Sequence, residues 1–173
     1  SRGKTTTKEL LAGILSTRFD IVRSPNSSNG RFGVPWTILS ITPTTEFAIV
    51  EVGVDGPGLM WRATAVVKPD IVVLTSVDKE HTENFLTLEA TAIEKERLVR
   101  SLRATGVAIL NLDDPRVAAM ADRSRARVVT YGQVAGADLR GRRVCGTWPQ
   151  RLSFTVTLNG SSYDVSTRLV GGH

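Results

Sequence analysis

DIVVLTSVDKEHTENFLTLEATAIEKERLVRSLRATGVAILNL, residues 70–112, is the stretch whose reading decides the fold. It begins with "DIVVLTS" (70–76) and ends with "GVAILNL" (106–112). Both runs are nearly continuous in Val, Ile, Leu and Ala, the pattern of strands buried on both faces. Between them, over 88–104, Leu88, Ala92, Val99 and Leu102 return at helical spacing. Strand, helix and strand in that order predict a right-handed crossover between parallel strands.

The same pattern extends in both directions. "FAIVEVG" (47–53) precedes a helical segment at about 57–67, and another at 114–122 leads into "RVVTYG" (127–132). Toward the amino end, 5–17 reads as a helix, with Leu10, Leu11, Ile14 and Leu15 at helical spacing. A short strand around 19–23 follows, then a polar loop, "SPNSSNGRFG" (24–33), and a short helix that Pro35 can start, running through Leu39. After about residue 136 the helices stop. "RRVCGTW", "RLSFTVTL" and "YDVSTRLV" read as strands, and Asn159-Gly160 between the last two is a strong hairpin signal. The expected fold is α/β: a mainly parallel sheet flanked by helices over 1–136, with a small antiparallel meander over 137–170.

Composition narrows the class. The chain has 173 residues, enough for one domain with a substantial core. No apolar run approaches the ~20 residues that span a bilayer, and no secretory segment is visible. Cys145 is the single cysteine, so an internal disulfide and a cysteine metal cluster are both excluded. One cysteine fits a reducing cytosol, and a cytoplasmic location is expected. The net charge of +5 suits an anionic partner such as a nucleotide, a nucleic acid or an acidic substrate. It equally suits a basic piece of a larger, better balanced protein. The arginines are spread over 97–151 without an RNA-binding aromatic motif, which favours the second account. The absence of an initiating Met and the end at Gly171-Gly172-His173 lead to the expectation of a fragment.

Chemistry enters at the first residues. Gly3-Lys4-Thr5 at a helix start is the end of the phosphate-loop pattern G-x-x-x-x-G-K-[ST]. Free N–H groups and the positive helix end receive phosphate oxygens, the lysine adds a mobile charge, and the Thr5 hydroxyl can bind Mg²⁺. The first glycine of the pattern and the strand feeding the loop would both precede Ser1. The competing account is a polar amino terminus capped by threonine. Glu51 closes the run "FAIV": it is either a Mg²⁺ ligand at the carboxyl edge of the sheet, where open α/β sheets bind ligands, or a residue emerging into solvent. His81 follows "DIVVLTS" and falls on the same edge; otherwise it is a surface histidine. Lys95 lies on the inward stripe of the helix 88–104, seven residues after Leu88. Such a lysine either snorkels or is truly buried. Burial would lower its pKa and leave a neutral amine able to take up CO₂ as a carbamate, an anionic oxygen ligand for Mg²⁺.

These residues resemble those of a known family, the ATP-dependent Mur ligases of peptidoglycan synthesis. The matches are "GKTTTKE" (3–9), "EVG" (51–53), "TSVDKEH" (75–81) with Lys95 fourteen residues after the histidine, "LNLDD" (110–114) and "LVGGH" (169–173). They run in family order across the chain, and the span is similar to the central, ATP-binding domain, without the N- and C-terminal domains. The opening helix and the loop before Gly33-Val34-Pro35 look most like the member that adds D-alanyl-D-alanine to a UDP-muramoyl tripeptide. Arg31 stands where that member carries an acidic residue.

The resemblance implies that ATP phosphorylates the terminal carboxylate of the UDP-linked peptide, and that an amine substrate then displaces phosphate to form an amide. It also implies site roles. Gly3, Lys4, Thr5 and Thr6 would hold the nucleotide. Thr5 and Glu51 would hold one Mg²⁺, and His81 with carbamylated Lys95 a second. Lys4, His81 and Lys95 would be the catalytic set, with Asn29 near substrate or in a turn. Asp113 and Asp114 match the family or cap the next helix. With half the loop absent, the fragment alone is expected to be inactive. Three alternatives stay open: a related amide ligase of folylpolyglutamate, poly-γ-glutamate or cyanophycin synthesis; a P-loop NTPase of another class, which would place Asp rather than Glu51 at the strand end; and, from charge alone, a nucleic-acid-binding module, although no nucleic acid and no membrane insertion is the expectation.

Overall fold

Alternating strand and helix emerge where the apolar runs place them. The computed structural model describes residues 3–53, 56–78, 87–158 and 160–169. In chain order the elements are α1 (Lys4–Leu15), β1 (Ile21–Arg23), α2 (Gly33–Leu39), β2 (Phe47–Ile49), α3 (Leu59–Val67), β3 (Ile71–Leu74), α4 (Leu88–Ser101), β4 (Val107–Asn111), α5 (Pro115–Ala118), a 3₁₀ turn (Ala119–Arg123), β5 (Arg127–Gly132), β6 (Leu139–Cys145), β7 (Ser153–Leu158) and β8 (Ser161–Ser166). Thr87 caps α4, accepting from the Ala90 amide at 3.1 Å. Asp114 caps α5, with Pro115 at the first helical position.

The strands form two ladders. β1 and β2 pair in parallel as a two-stranded sheet, and β3-β4-β5-β6-β7-β8 form a six-stranded one. β3, β4 and β5 are parallel, with Ala108 opposite both Val72 and Val128. β6 joins β5 in parallel at only two positions, Tyr131↔Leu139 and Gly132↔Arg140. Because the strands overlap only at their ends, a six-residue connection suffices where a full parallel pair needs a long crossover. Thr130 and Asp138 pin this step, each main-chain amide donating to the other's side chain. β6-β7-β8 are the expected antiparallel meander, and Leu158↔Ser161 is the register of a two-residue hairpin with Gly160 at φ +80°.

The core lies between the parallel strands and α4. Val99, Ala108 and Leu110 are fully enclosed, together with Val72, Leu74, Leu98, Leu102, Val117 and Met120. Each large aliphatic group buried there contributes roughly 1.5–3 kcal/mol.

One boundary and one buried face differ from the sequence expectation in an informative way. The run 47–53 yields a strand only over 47–49, because the Glu51 and Gly53 amides turn to side-chain and loop oxygens instead of the ladder. The helix over 5–17 forms as α1, but Leu10 and Ile14 are exposed while Lys8 and Ala12 are its buried residues.

Candidate functional site

At the amino end of α1, Gly3 adopts φ +82° and no side-chain hydrogen bond caps the helix, so the threonine-cap account fails. The first-turn amides of such an end lack intrahelical partners. Lys4 and Thr5 are half-buried in this turn, and Thr6 is exposed. The Thr5 hydroxyl donates to Glu51 Oε1 at 3.1 Å. The Gly-Lys-Thr turn and the acid after β2 therefore meet.

Glu51 is 5% exposed and is held by the polar loop before α2. Its amide donates to Ser24 Oγ at 3.0 Å, and Ser24, itself wholly buried, also accepts from the Thr37 hydroxyl. Asn29 Nδ2 donates to Glu51 Oε1 at 2.8 Å, and the Gly53 amide donates to the Asn29 carbonyl at 2.8 Å. A Cβ at Gly53 would stand 2.8 Å from Asn29 Oδ1, so this crossing of two loops needs glycine. Asn29, expected near substrate or in a turn, thus spends its side-chain amide on the acid. Sequence reasoning missed Ser24 and Lys8. Lys8, 3% exposed, sets its ammonium 3.6 Å from Glu51 Oε2 and 3.1 Å from Glu9 Oε1, and it also donates to the Asn26 carbonyl. Glu51 Oε2 accepts no hydrogen bond among the described residues.

Lys95 is buried, not snorkelling, and Nζ donates to the Ser76 carbonyl at 3.1 Å. Desolvation pulls its pKa down to about 8; the Lys4 charge lowers it further, while Asp78 and Asp114 oppose the shift. That Lys4 is felt at Lys95 brings the amino end of α1 and the inward amine of α4 into one electrostatic neighbourhood.

Four successive residues after or at the end of β3 are tied by side chains from four elements. Leu74 O accepts from Tyr131 Oη at 3.2 Å, Thr75 O from Asn111 Nδ2 at 2.7 Å and Ser76 O from Lys95. The Val77 amide donates to Asp114 Oδ2 at 2.6 Å. Burial, aided by the Asp113 charge, pushes the Tyr131 phenol up to about 12, so it stays a donor. Asp113 accepts from the Gln133 and Val134 amides, so both acids of "LNLDD" are engaged with main chain, Asp114 as the expected cap. His81 lies outside the described residues.

The donor set fits a small hard cation. Cis ligands of an octahedral Mg²⁺ at 2.0–2.1 Å are separated by about 3.0 Å, close to the 3.1 Å between Thr5 Oγ1 and Glu51 Oε1. Among the described residues no three His, Cys, Asp or Glu cluster into an all-protein metal site. No described helix is long and apolar enough to cross a membrane.

Comparison with known proteins identifies the family and the fold. The sequence model of the family described as Mur ligase middle domain matches residues 1–173. A UDP-N-acetylmuramoyl-tripeptide–D-alanyl-D-alanine ligase of Mycobacterium leprae is 41% identical over 129 residues, covering 75% of this chain and 25% of the relative. The ligase of the same name from Mycobacterium bovis is 32% identical over 173 residues, covering 100% and 34%. A crystal structure of MurF from Acinetobacter baumannii superimposes with TM-score 0.91 at 24% identity, covering 99% of this chain and 37% of that one. The MurF ligase of Thermotoga maritima in complex with ADP gives 0.84 at 25% identity, covering 96% and 38%. The chain spans about a quarter to a third of the length of these curated relatives. Matched by the family model from its first residue to its last, the chain belongs to the Mur ligase middle-domain family.

Proposed function

We propose that this chain is the nucleotide-binding part of an ATP-dependent amide ligase that adds D-alanyl-D-alanine to a UDP-muramoyl tripeptide in peptidoglycan precursor synthesis. The observation that carries the reading is the contact of the Thr5 hydroxyl with Glu51 at the uncapped amino end of α1. The names of the relatives support the choice of substrates.

In such a reaction ATP supplies the phosphoryl group that activates the peptide carboxylate, and Mg²⁺ neutralises the charge that accumulates as the two anions approach. The first-turn amides of α1 and Lys4 bind phosphate oxygens. Thr5 and Glu51 would hold the cation through one hydroxyl and one carboxylate. Lys95, with His81, would be the second ligand pair; the buried amine, with its pKa near 8, has a neutral fraction at physiological pH that can add to CO₂, forming an N–C bond and releasing a proton to water to leave an anionic carbamate. The parts of the relatives' length that this chain does not span would bring the UDP-linked peptide and the amine to this edge.

The test is phosphate release by the intact protein that depends on ATP, the UDP-muramoyl tripeptide and D-alanyl-D-alanine together. Glu51→Gln keeps the shape of the side chain and removes its charge. It should raise KM for MgATP and lower kcat/KM by on the order of 10²-fold, with KM for the dipeptide unchanged. Full activity in that variant would remove the cation role assigned to Glu51.

A further inference from the structure

Lys8 follows Lys4 by one turn of α1, so both rise from the same helix face. A lysine there is ordinarily solvated, yet this one is 3% exposed. A buried ammonium is costly unless charge and hydrogen bonds match it. Its partners are the Glu9 carboxylate, the Asn26 carbonyl and Glu51 Oε2. Asn26 presents that carbonyl from a left-handed turn, φ +48°, which asparagine tolerates.

The surroundings of Glu51 are asymmetric. Oε1 receives Asn29 Nδ2 at 2.8 Å and the Thr5 hydroxyl at 3.1 Å. Oε2 is enclosed, accepts no hydrogen bond among the described residues and faces the Lys8 ammonium at 3.6 Å. A carboxylate free to turn about its last bond offers either oxygen. Donors on one oxygen and a fixed cation on the other leave it a single orientation, as the support of a metal ligand requires.

We propose that Lys8 is a positioning residue acting through Glu51: with Asn29 it fixes the carboxylate so that Oε1 is the oxygen presented beside the Thr5 hydroxyl to a divalent cation. This rests on the reading above that Thr5 and Glu51 hold that cation. Lys8 touches neither nucleotide nor metal. Its effect is confined to how well one oxygen is aimed, so it should appear in metal and MgATP affinity and not in recognition of the amine.

The experiment uses the intact protein saturated with ADP and titrated with Mn²⁺, free Mn²⁺ being read by electron paramagnetic resonance. Lys8→Met should weaken Mn²⁺ binding by about ten-fold or more and raise KM for MgATP in proportion. KM for D-alanyl-D-alanine should be unchanged, and Lys8→Arg should recover part of the Mn²⁺ affinity. If Lys8→Met does not fold, Lys8→Gln, which is polar and uncharged, takes its place under the same criteria. A folded variant of either kind that binds Mn²⁺ within about two-fold of wild type, well short of the loss expected for a supporting residue, overturns the proposal, as does a wild-type protein that binds no Mn²⁺. Loss of the ligase reading shows separately, as absent substrate-dependent phosphate release in a wild type that still binds Mn²⁺, because the metal titration requires no turnover.

Discussion

Lys95 sits where an apolar side chain of similar length would pack at lower cost. With its pKa moved from 10.5 to about 8, the folded protein carries a penalty on the order of 3 kcal/mol at pH 7. Replacing it by Met removes that penalty and forfeits the bond to Ser76 O, worth about 1 kcal/mol. Lys95→Met should therefore be more stable by roughly 1–2 kcal/mol at pH 7, measured by urea denaturation in CO₂-free buffer, while losing ligase activity. The sign of the pH dependence follows from the direction of the shift. Between about 8 and the unfolded value near 10.4, the unfolded chain binds more protons, so wild-type stability rises with pH across that window. The advantage of Met should shrink through the same window and be gone above it; a gain that does not change with pH would show that desolvation of the ammonium is not its source. Lys95 was legible in the sequence because Leu88, Ala92, Val99 and Leu102 define an inward stripe over 88–104 on which it falls. Lys8 was not, because α1 carries leucines enough to suggest a different inward face, and periodicity cannot tell a buried cation from a solvated one when its partners come from residues 26 and 51.

At the scale of elements, Asp114 does two things at once. It caps α5 through the Arg116 amide at 2.9 Å and takes the Val77 amide at 2.6 Å, joining the start of α5 to the chain leaving β3. Thr87 only caps α4. Thr87→Ala should cost about 1 kcal/mol, whereas Asp114→Ala should cost roughly 2–3 kcal/mol, because a buried amide also loses its acceptor. Equal losses in denaturant midpoints would refute the second role. The elements themselves were largely readable: each apolar run became a strand and each helical segment a helix, except that 114–122 divides into α5 and a 3₁₀ turn and β6 begins at Leu139, three residues before the run "RRVCGTW". What composition could not give was where β2 stops. Val50, Val52 and their neighbours read as strand to residue 53, yet Ser24 and Asn29 compete for the Glu51 and Gly53 main chain and win. The polar loop 24–33 looked like a connection and is the mount of the acid. Its signal was Ser24, a short polar side chain of the kind that hydrogen-bonds main chain readily, whereas Asn29 takes the Gly53 amide through its own main-chain carbonyl.

Over the whole molecule, the two ends of the six-stranded sheet are unlike. β8, SSYDVS, closes one side with serines and Asp164, the polar composition that discourages pairing with another chain. β3, IVVL, is the other terminal strand, with no ladder partner beyond it among the described residues and with Ile71 53% exposed. A short β-branched strand with a bare flank templates association between molecules. Solutions of the 173-residue chain on its own should accordingly scatter light increasingly with concentration and time, and Ile71→Lys should suppress this with little change in melting temperature. Equal scattering by that variant would place the stickiness elsewhere. The practical consequence concerns handling: a single charge on that flank is expected to keep more of the isolated chain dispersed.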